Sequence, residues 1–381
     1  MSKSIAIVTS IHPDFDKRVW RHARGLAELG CEVHLVCPWD MAEGQIVCGV
    51  TFHPFKRGHG LTSRVLIIPI KVCSRLYAIR HRIEIIHFHD IDLLPWMSLW
   101  TLFKDVVYDV HENYPAEVLN RKWLNPPLRR LLSWFVRHAQ KGFSRIVHNV
   151  VLVTPYQEPD FSGAKLNKVF VRNYASVHLL KDERPDYLLR GPSVIFTGMH
   201  NINNGSMLLL DIAEMTLKKR PGVVFIAPDR FTNGSFRAAF IEAMQRKLPA
   251  ESFRILPPVR AHEIMLLLNQ ATIGINPNLR VEQQIKGVHT KLFEFMAASL
   301  PIVTSDLPHQ KALVEETGAG LLAKPEQVES FVDSITYLVD NTQEAYAMGL
   351  KGRAAFIEKY SWENEMRTLI NFYESINSGK K

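Results

Sequence analysis

The sequence predicts an α/β protein built from two Rossmann-like domains, each a parallel sheet covered by helices. Short apolar runs with strand character alternate with helical patterns along almost the whole chain, and parallel sheets require this alternation. The alternation occurs as two series separated by a charged segment, 176–192. A chain of 381 residues with 46% apolar side chains is long enough to form two packed cores.

The first series begins with a buried strand at the amino terminus, and the second begins after the charged segment. Predicted strands of the first series are 5–9, 33–36, 85–88 and 106–109, with a helix at 19–29. Predicted strands of the second are 194–197, 223–227, 253–256, 273–277 and 302–304, with helices at 207–217 and 331–341. We expect an N-terminal domain over 1–175, a linker over 176–192, a C-terminal domain over 193–360 and a last helix over 361–377.

The composition argues against several classes of protein. The four cysteines form no Cys-x-x-Cys pair, so neither a zinc site nor a disulfide framework is expected, and a reduced, cytoplasmic setting is favoured. The amino-terminal stretch has the pattern of a first strand rather than that of a secretion signal. No apolar run reaches the roughly 18–20 residues of a spanning helix, so we expect no integral membrane segment.

The formal charge of +8 is confined to one half of the chain. Residues 1–180 contain 23 Lys and Arg against 15 Asp and Glu, whereas the remainder is neutral. Residues 121–145 hold seven of those cations and no acid, with large apolar side chains at helical spacing between them. A basic amphipathic helix with tryptophans suits the surface of an anionic membrane. The alternative is a helix that packs on its own sheet and has a solvated basic rim.

The membrane interpretation predicts a set of residues that face the lipid surface. They are Trp123, Arg129, Arg130, Trp134 and Arg137. A second basic and apolar stretch, 64–82, belongs to the same predicted domain and favours this interpretation. Nucleic acid is the other usual partner of a basic surface, but the sequence contains no motif for it.

The most informative segment is 289–306, which combines a short helix, a tight turn and a buried apolar run. Lys291, Leu292, Phe293 and Glu294 begin the helix. A helix start offers unpaired backbone N–H groups and the positive end of the helix dipole, so it can hold a diphosphate. A glutamate one turn in, Glu294, can accept hydrogen bonds from both hydroxyls of a ribose. The alternative is an ordinary helix–strand pair.

This segment resembles the donor-nucleotide element KxxEyMAxGxPVvxSD of retaining glycosyltransferases that have the GT-B fold. Residues 11–38 resemble the HPxxDxRVxRxAxxLaxxGhxV opening of a bacterial subgroup of family 4 glycosyltransferases. Further similarity occurs in the expected order at 85–95, 106–115 and 360–376. The resemblance implies a GT-B architecture, with two Rossmann-like domains facing each other across a cleft and the last helix crossing back to the first domain.

The resemblance also implies a function. It indicates a metal-independent, retaining transferase of the hexosyltransferase type, which uses no cofactor and moves a sugar from a nucleotide-diphosphate donor to a saccharide acceptor. Retention in this family is ascribed to attack on the front face of the sugar, with the departing phosphate taking the acceptor's proton. The basic N-terminal half and the family analogy point to a lipid-linked acceptor at the inner face of the plasma membrane, in bacterial cell-surface polysaccharide synthesis.

The resemblance assigns roles to individual residues. His111 orients the transferred sugar, although a histidine satisfied inside a core is the alternative. Lys291 and the helix start stabilise the diphosphate, and Glu294 holds the ribose. At the entrance of the helix after the first strand, Asp16 is an N-cap and Arg18 faces the diphosphate. The further residues expected at the donor are Asp16, Gly198, Arg230, Lys286, Leu292 and Phe293.

The chain departs from the family pattern at two places. Met199 and Asn204 occupy loop positions where family members carry basic residues. Lys286, eight residues before Glu294, replaces a glutamate that binds the transferred sugar. Candidate replacements for the missing groups are Arg230, Arg280, Lys286, Lys291 and Glu282. The departures leave two rival functions open, a nucleotide-sugar 2-epimerase of the same fold and an inactive sugar-nucleotide-binding subunit.

Histidines and carboxylates accumulate at the ends of two predicted strands. They are His87, His89, Asp90, His111 and Glu112. Such a group can hold a metal ion. The His-x-His-Asp spacing spans a strand end rather than one helix face, however, so the side chains are not required to converge. We therefore predict no metal site.

Overall fold

The structure is a computed structural model that describes residues 3–58, 60, 62–110, 114–121, 124–161, 166–180, 186–259 and 263–378. The chain divides into two compact units. Unit 1 contains Met1–Asn173 and Glu365–Lys381, and unit 2 contains Tyr174–Asn364. The segment predicted as a linker, 176–192, groups with unit 2.

The strands and helices alternate along most of the chain. The strands are β1 (Ser4–Val8), β2 (Glu32–Cys37), β3 (Ile46–Val47), β4 (Val50–Pro54), β5 (Ile85–Phe88), β6 (Asp105–Val110), β7 (Asn149–Leu152), β8 (Asn167–Phe170), β9 (Ser193–Ile195), β10 (Val224–Pro228), β11 (Phe253–Leu256), β12 (Ile273–Asn276), β13 (Ile302–Ser305) and β14 (Gly320–Ala323). The helices are α1 (Lys17–Glu28), α2 (Ile68–Ile79), α3 (Leu94–Trp100), α4 (Tyr114–Asn120), α5 (Pro126–Val147), α6 (Ser206–Lys219), α7 (Gly234–Lys247), α8 (Ile264–Leu268), α9 (Glu282–Lys286), α10 (Thr290–Ala297), α11 (Pro308–Thr317), α12 (Val328–Asp340), α13 (Thr342–Glu358) and α14 (Trp362–Ser378).

The sheet of unit 1 has the order β3-β4-β2-β1-β5-β6-β7-β8 among the described residues. Its neighbours run parallel except for β3 and β4, which are antiparallel. The central strand β1 is buried along its whole length, because helices cover both faces of a parallel sheet. Alternate residues such as Phe88 and Tyr108 join one core with α2 and α3. The intervening residues of β5 and β6 face α1 and α14, since side chains alternate between the faces of a strand.

The sheet of unit 2 has the order β11-β10-β9-β12-β13-β14 in the described part of the chain, and all of its neighbours run parallel. Apolar residues of α6, α7 and α12 pack on one face. Those of α8 and α10 pack on the other, where Phe293 and Phe295 are fully buried. This arrangement confirms the predicted fold class of two parallel α/β units.

Both sheets contain a point at which the order of strands reverses. In unit 1 it lies between β1 and β5, and in unit 2 between β9 and β12. Ligands of open α/β sheets bind beyond the carboxyl ends of the strands at such a switch point. The segments after these four strands are therefore the places to search for a site.

The predicted strands of both series are present, and 85–88 and 253–256 have the predicted bounds. The apolar pattern of the sequence did not predict β3, β4, β7, β8 and β14. Strands β8 and β14 end their sheets and are mostly half-buried, so their apolar pattern is weak. No helix in the described part of the chain has both the length and the apolar character required to cross a bilayer.

Candidate functional site

The switch point of unit 2 is built around two glycines. Gly205 precedes α6 with a φ of 73°, and a Cβ there would lie 1.8 Å from the carbonyl oxygen of Pro277. Gly198 follows β9, and a Cβ there would lie 2.6 Å from the ring of Phe196 and 2.8 Å from Nζ of Lys291. Only glycine fits at position 205, because the backbone there has a positive φ and approaches the backbone of Pro277. A larger residue at position 198 would displace the ends of the Phe196 and Lys291 side chains.

Lys291, predicted to hold the diphosphate, projects its ammonium over the end of β9. Its Nζ lies 4.8 Å from the centre of the Phe196 ring and is buried. Nζ makes no hydrogen bond to any residue that the structure describes. Burial lowers the pKa of Lys291 to about 7, although the nearby charge of Glu294 opposes the shift. An anion that displaced water here would gain an uncompensated cation as its partner.

Two histidines beside Lys291 are held neutral. Burial, followed by the charge of Lys291, lowers the pKa of His200 to about 4. The same two causes lower the pKa of His289 to about 4. At neutral pH the two imidazoles are therefore uncharged, and of these three side chains Lys291 is the one that still carries positive charge, in about half of the molecules.

Polar side chains with spare acceptors surround the same strand ends. Oγ1 of Thr197, Oδ1 of Asn276 and Oδ1 of Asn278 are buried and make no hydrogen bond to any described residue. Buried polar groups in folded proteins are nearly always paired, so a group of unpaired ones needs an explanation. A polar ligand at the switch point supplies one.

Asn204, one of the departures from the family pattern, has a structural role. Its Oδ1 accepts from Nε2 of Gln284 at 3.0 Å, and its Nδ2 donates to the carbonyl of Met199 at 2.8 Å. Gln284 in turn contacts Asn278, which lies 3.3 Å from Nδ1 of His289. This amide network ties the loop before α6 to the loop before α10. Single-sequence reasoning missed Gln284 and His289, because only the tertiary fold brings them to Asn204.

The other residues predicted at the donor lie in different environments. Leu292 and Phe293 are fully buried in the core, and the N–H of Leu292 already donates to the carbonyl of His289 at 3.0 Å. A tight turn at the start of α10 thus already uses the N–H of Leu292, and the placement of Leu292 at the donor stays a prediction. Arg230 is exposed, and its carbonyl accepts from the N–H of His200 at 2.7 Å.

Lys286 and Glu282, which were candidate replacements, pair with each other. They lie four residues apart on α9, and their ammonium and carboxylate form an exposed ion pair. Arg280 is also exposed at the start of this segment. Of the candidate cations, Lys291 is therefore the one whose ammonium is buried and directed at the switch point.

In unit 1, Asp16 has the predicted structural role. Its carboxylate accepts from the N–H groups of Arg18 at 2.9 Å and Val19 at 3.2 Å, which is an N-cap of α1. Burial alone would raise the pKa of Asp16. The contacts with His12 and with these N–H groups outweigh burial and hold the pKa well below its usual value. Asp16 therefore anchors α1 whether or not a donor contacts it.

The side chain of Arg18 faces a buried carboxylate on β6. Its guanidinium is buried and donates to Asp109 at 2.6 and 3.2 Å and to Oδ1 of Asn173 at 2.8 Å. The structure thus gives Arg18 a partner within unit 1, and a contact of Arg18 with the diphosphate stays a prediction. The physical reason is that Asp109, a buried carboxylate on β6, requires a compensating cation.

Three histidines surround the same carboxylate. Oδ2 of Asp109 lies 3.3 Å from Nδ1 of His22, 3.2 Å from Nε2 of His87 and 3.3 Å from Nδ1 of His89. His87 and His89 share a face of β5 because they are two residues apart. Asp109 lies on the neighbouring strand, where the pairing of His87 with Val107 brings it level with His89. Of the five predicted residues, His87 and His89 therefore converge, as the His-x-His spacing within a strand could have revealed, and they do so with His22 and Asp109, which were not in the predicted group.

Three predicted residues lie outside the residues that the structure describes. They are His111 and Glu112, after β6, and Trp123, before α5. The orientation of the transferred sugar by His111 stays a prediction.

Helix α5 has an unusual distribution of side chains. The residues that it buries against unit 1 are Ser133, Gln140, Ser144 and Val147. Its large apolar side chains point outward instead: Leu131, Trp134 and Phe135 are 61%, 57% and 61% exposed. Among the predicted membrane residues, Arg130 is exposed, Arg129 donates to the carbonyl of Leu119 and Arg137 pairs with Asp160.

Other elements of unit 1 extend this exposed apolar surface. Residues 65–67 and Ile70 are 45–55% exposed at the start of α2. Leu102 and Phe103, just after α3, are 77% and 75% exposed. Exposed apolar side chains thus occur on α5, before and on α2, and after α3.

Unit 1 also contains an open cavity of about 780 Å³ beyond β2 and β4. Trp39 and the cations Lys56, Arg57 and Arg75 line it. Arg57 donates to the carbonyl of Pro38 at 2.7 Å, and Arg75 pairs with Glu43 at 3.2 Å. Sequence reasoning did not identify this cavity, because its lining comes from separate loops.

Family comparisons cover most of the chain in two parts. Residues 16–168 match the family model described as glycosyltransferase family 4. Residues 191–341 match the model described as glycosyl transferases group 1. The two matches fall in the same order as the two series of strands.

Two curated relatives are similar to parts of the chain. A poly(ribitol-phosphate) alpha-N-acetylglucosaminyltransferase of Staphylococcus aureus is 25% identical over 174 residues, which are 44% of this chain and 32% of the relative. A D-inositol 3-phosphate glycosyltransferase of Corynebacterium urealyticum is 22% identical over 185 residues, which are 48% of this chain and 42% of the relative. The matches thus span less than half the length of each relative.

Solved structures resemble the chain over its whole length. HepE of Anabaena, solved in complex with UDP, has a TM-score of 0.71 at 14% identity, and the match covers 98% of this chain and 100% of HepE. At this level of identity the likeness concerns the fold.

Proposed function

Because the chain belongs to the family 4-like glycosyltransferases of the GT-B fold, we propose that it transfers a sugar from a nucleotide-diphosphate donor to a saccharide acceptor. The transfer retains the configuration of the sugar and uses no metal ion at the diphosphate. The curated relatives transfer sugars, and HepE binds UDP, which supports a nucleotide diphosphate as the donor's leaving group.

One observation carries this proposal, the buried ammonium of Lys291 beyond β9. Nζ makes no hydrogen bond to a described residue, lies next to a glycine that leaves space above it, and has a lowered pKa. An uncompensated cation is expensive in a folded protein unless a ligand uses it. A diphosphate at the switch point satisfies this cation together with the start of α10.

The proposed chemistry follows from the placement of charge. The bond between the anomeric carbon and the diphosphate oxygen breaks, and negative charge grows on that oxygen. Lys291 stabilises this charge, and Glu294, one turn along α10, holds the ribose. The acceptor hydroxyl attacks the same face of the sugar, forms the new bond to the anomeric carbon and gives its proton to the departing phosphate.

For the acceptor we propose a lipid-linked saccharide on an anionic membrane, at the inner face of the plasma membrane in bacterial cell-surface polysaccharide synthesis. The outward apolar face of α5 supports this choice, because Trp134 and Phe135 contribute little to packing within unit 1. Tryptophan and phenylalanine flanked by arginine favour the interface of an anionic bilayer. The cavity lined by Trp39, Asp40 and Lys56 offers an aromatic face and polar groups to a saccharide headgroup.

The donor is tested by thermal shift and calorimetry with a panel of sugar nucleotides that includes UDP forms. A donor that binds the native state raises the melting temperature. Glu294→Ala should then weaken nucleotide binding severely while leaving the fold intact. Unchanged affinity in calorimetry would contradict the ribose role.

The reaction is tested by incubating the best donor with and without an acceptor. Transfer only with an acceptor supports the proposal. An isomerised sugar nucleotide formed without acceptor would instead identify a 2-epimerase. Nucleotide binding without transfer or isomerisation for any acceptor tried would favour a binding subunit.

The membrane surface is tested by co-sedimentation with liposomes of anionic or neutral lipids. Binding should require anionic lipid, weaken with salt, and fall in a Trp134→Ser, Phe135→Ser variant and after Arg130→Glu. Leu189→Ser is a matched control, because Leu189 is 84% exposed but belongs to unit 2. Equal binding to neutral liposomes would argue against an electrostatic anchor.

A further inference from the structure

We propose that His22, His87, His89 and Asp109 form a structural site for one transition-metal ion inside unit 1, with Zn²⁺ as the best-fitting ion. The site lies in unit 1, whereas the proposed diphosphate contacts lie in unit 2. The ion stabilises unit 1 and takes no part in the transfer step.

The geometry of the four side chains carries the inference. One ligand atom from each residue lies within 4.8 Å of all the others. Zinc binds imidazole nitrogen and carboxylate oxygen at about 2.0–2.2 Å, so a tetrahedral site separates its ligand atoms by about 3.3–3.5 Å. The three nitrogen distances to Oδ2 of Asp109, 3.2–3.3 Å, already match that separation.

The chemistry of the donor set selects the class of ion. Three imidazoles and one carboxylate suit zinc and its first-row neighbours, whereas magnesium and calcium prefer oxygen ligands. All four side chains are fully buried, which is typical of a closed structural site rather than an open catalytic one. A carboxylate oxygen has about two lone pairs and can accept about two hydrogen bonds. Three imidazole nitrogens lie near Oδ2 of Asp109, which is more than hydrogen bonding to this oxygen requires.

Neighbouring side chains orient the ligands. Nδ1 of His87 lies 2.6 Å from the hydroxyl of Tyr373, which directs Nε2 toward the cluster. Arg18 donates to both oxygens of Asp109, to Oδ1 at 2.6 Å and to Oδ2 at 3.2 Å, so it holds the carboxylate in the orientation in which Oδ2 also meets the imidazoles. Such partners are characteristic of metal sites. The charge of Arg18 opposes a bound cation, whereas the carboxylate of Asp109, which Arg18 pairs with, attracts one.

The test uses the full-length protein after treatment with a chelator, followed by titration with ZnCl₂ or CoCl₂. We expect uptake of a single zinc ion per chain by elemental analysis and a higher melting temperature of unit 1. Co²⁺ should show the visible absorption of tetrahedral coordination. Absence of zinc uptake, or cobalt spectra typical of octahedral coordination, would overturn the proposal.

Variants locate the ion. His89→Gln and His22→Gln should reduce zinc uptake to background, whereas His34→Gln should keep it. His34 is a matched control, because it is buried in the same unit and contacts His53 instead of the cluster. If all three variants bound as much zinc as the wild type, the zinc would bind outside the His22, His87, His89 and Asp109 cluster, and the proposal would be refuted. If the cluster variants do not fold, the wild-type stoichiometry and cobalt spectrum still decide it.

Discussion

The carboxyl edges of the two sheets differ in how their buried charges are compensated. In unit 1, Asp109 is surrounded by Arg18 and three histidines, so its charge has partners within the unit. In unit 2, the ammonium of Lys291 is buried without a hydrogen bond to a described residue. The first edge is organised as a structural polar core, and the second has a charge that a ligand must complete.

Loss of the compensating cation in unit 1 should have the largest effect. Arg18→Met removes the guanidinium that pairs with the buried Asp109 and leaves imidazoles beside it, and breaking a buried ion pair destabilises by about 3–5 kcal/mol. We expect a lower denaturation midpoint for unit 1 in calorimetry, with UDP affinity of the folded protein unchanged. Arg24→Met on the same helix is the control, because Arg24 forms only an exposed pair with Glu28. A loss of UDP affinity at full folding would assign Arg18 to the donor after all.

Removal of the buried cation of unit 2, Lys291, should weaken UDP binding and raise stability, which is the opposite of what is expected for Arg18. Lys291→Met removes a charged contact with the diphosphate, worth about 1.5–3 kcal/mol or one to two orders of magnitude in affinity. The same change removes a buried charge, so unit 2 should become more stable at pH 7. Calorimetry with UDP and thermal denaturation measure the two effects. Lys311→Met, an exposed lysine of unit 2, should change neither.

The lowered pKa of Lys291 predicts a pH dependence of binding. Below about pH 7 the free protein carries the ammonium, and above it the amine becomes neutral. UDP affinity should therefore decline above pH 7, by up to about tenfold per pH unit for one coupled proton. Titrations between about pH 7.5 and 9.5 test this, with Lys291→Met as the control. If UDP affinity had the same pH dependence in the wild type and in Lys291→Met, the proton coupled to binding would belong to a group other than Lys291.

The same pKa also predicts how stability changes with pH. The folded pKa is about 7, and that of an unfolded lysine is about 10.4. The destabilisation by Lys291 is fully present below about pH 7 and disappears as the pH rises toward the unfolded value. The stability advantage of Lys291→Met should therefore shrink between pH 7 and 10. A constant advantage would contradict the buried-charge explanation.

The smallest effect is expected at Asn204. Asn204→Lys restores the family's basic residue but removes the acceptor of Gln284, which costs about 1 kcal/mol of stability in unit 2. We expect UDP affinity to change by less than about threefold, because Lys291 already supplies the cation. Asn203→Lys is the neighbouring control. A large gain in affinity would show that this edge lacks a second phosphate contact.

Much of the molecule follows from local patterns in the sequence. The alternation of apolar runs and helical patterns predicted two parallel sheets, and Asp16 followed by an amphipathic stretch predicted the N-cap of α1. The segment 289–306 predicted a short helix and a buried strand, which are α10 and β13. These features depend on neighbours a few residues apart, so the periodicity of the chain reports them directly.

Other features depend on contacts between distant residues. The sequence suggested that Arg18 faces a diphosphate, but Asp109, 91 residues later, binds its guanidinium. Asn204 likewise occupies a position where the family carries a basic residue, but its side chain accepts a hydrogen bond from Gln284, 80 residues later in the chain. No local pattern records such pairings.

The sequence by itself determined that the chain forms two parallel α/β units and that a lysine and a glutamate begin α10. Only the tertiary structure decided which charges are compensated. It paired Arg18 with a buried carboxylate and left Lys291 facing the end of β9. The physical reason is that hydrophobic periodicity specifies which face of each element is buried. The partner of a buried charge depends instead on the register and packing of elements that are far apart in the chain.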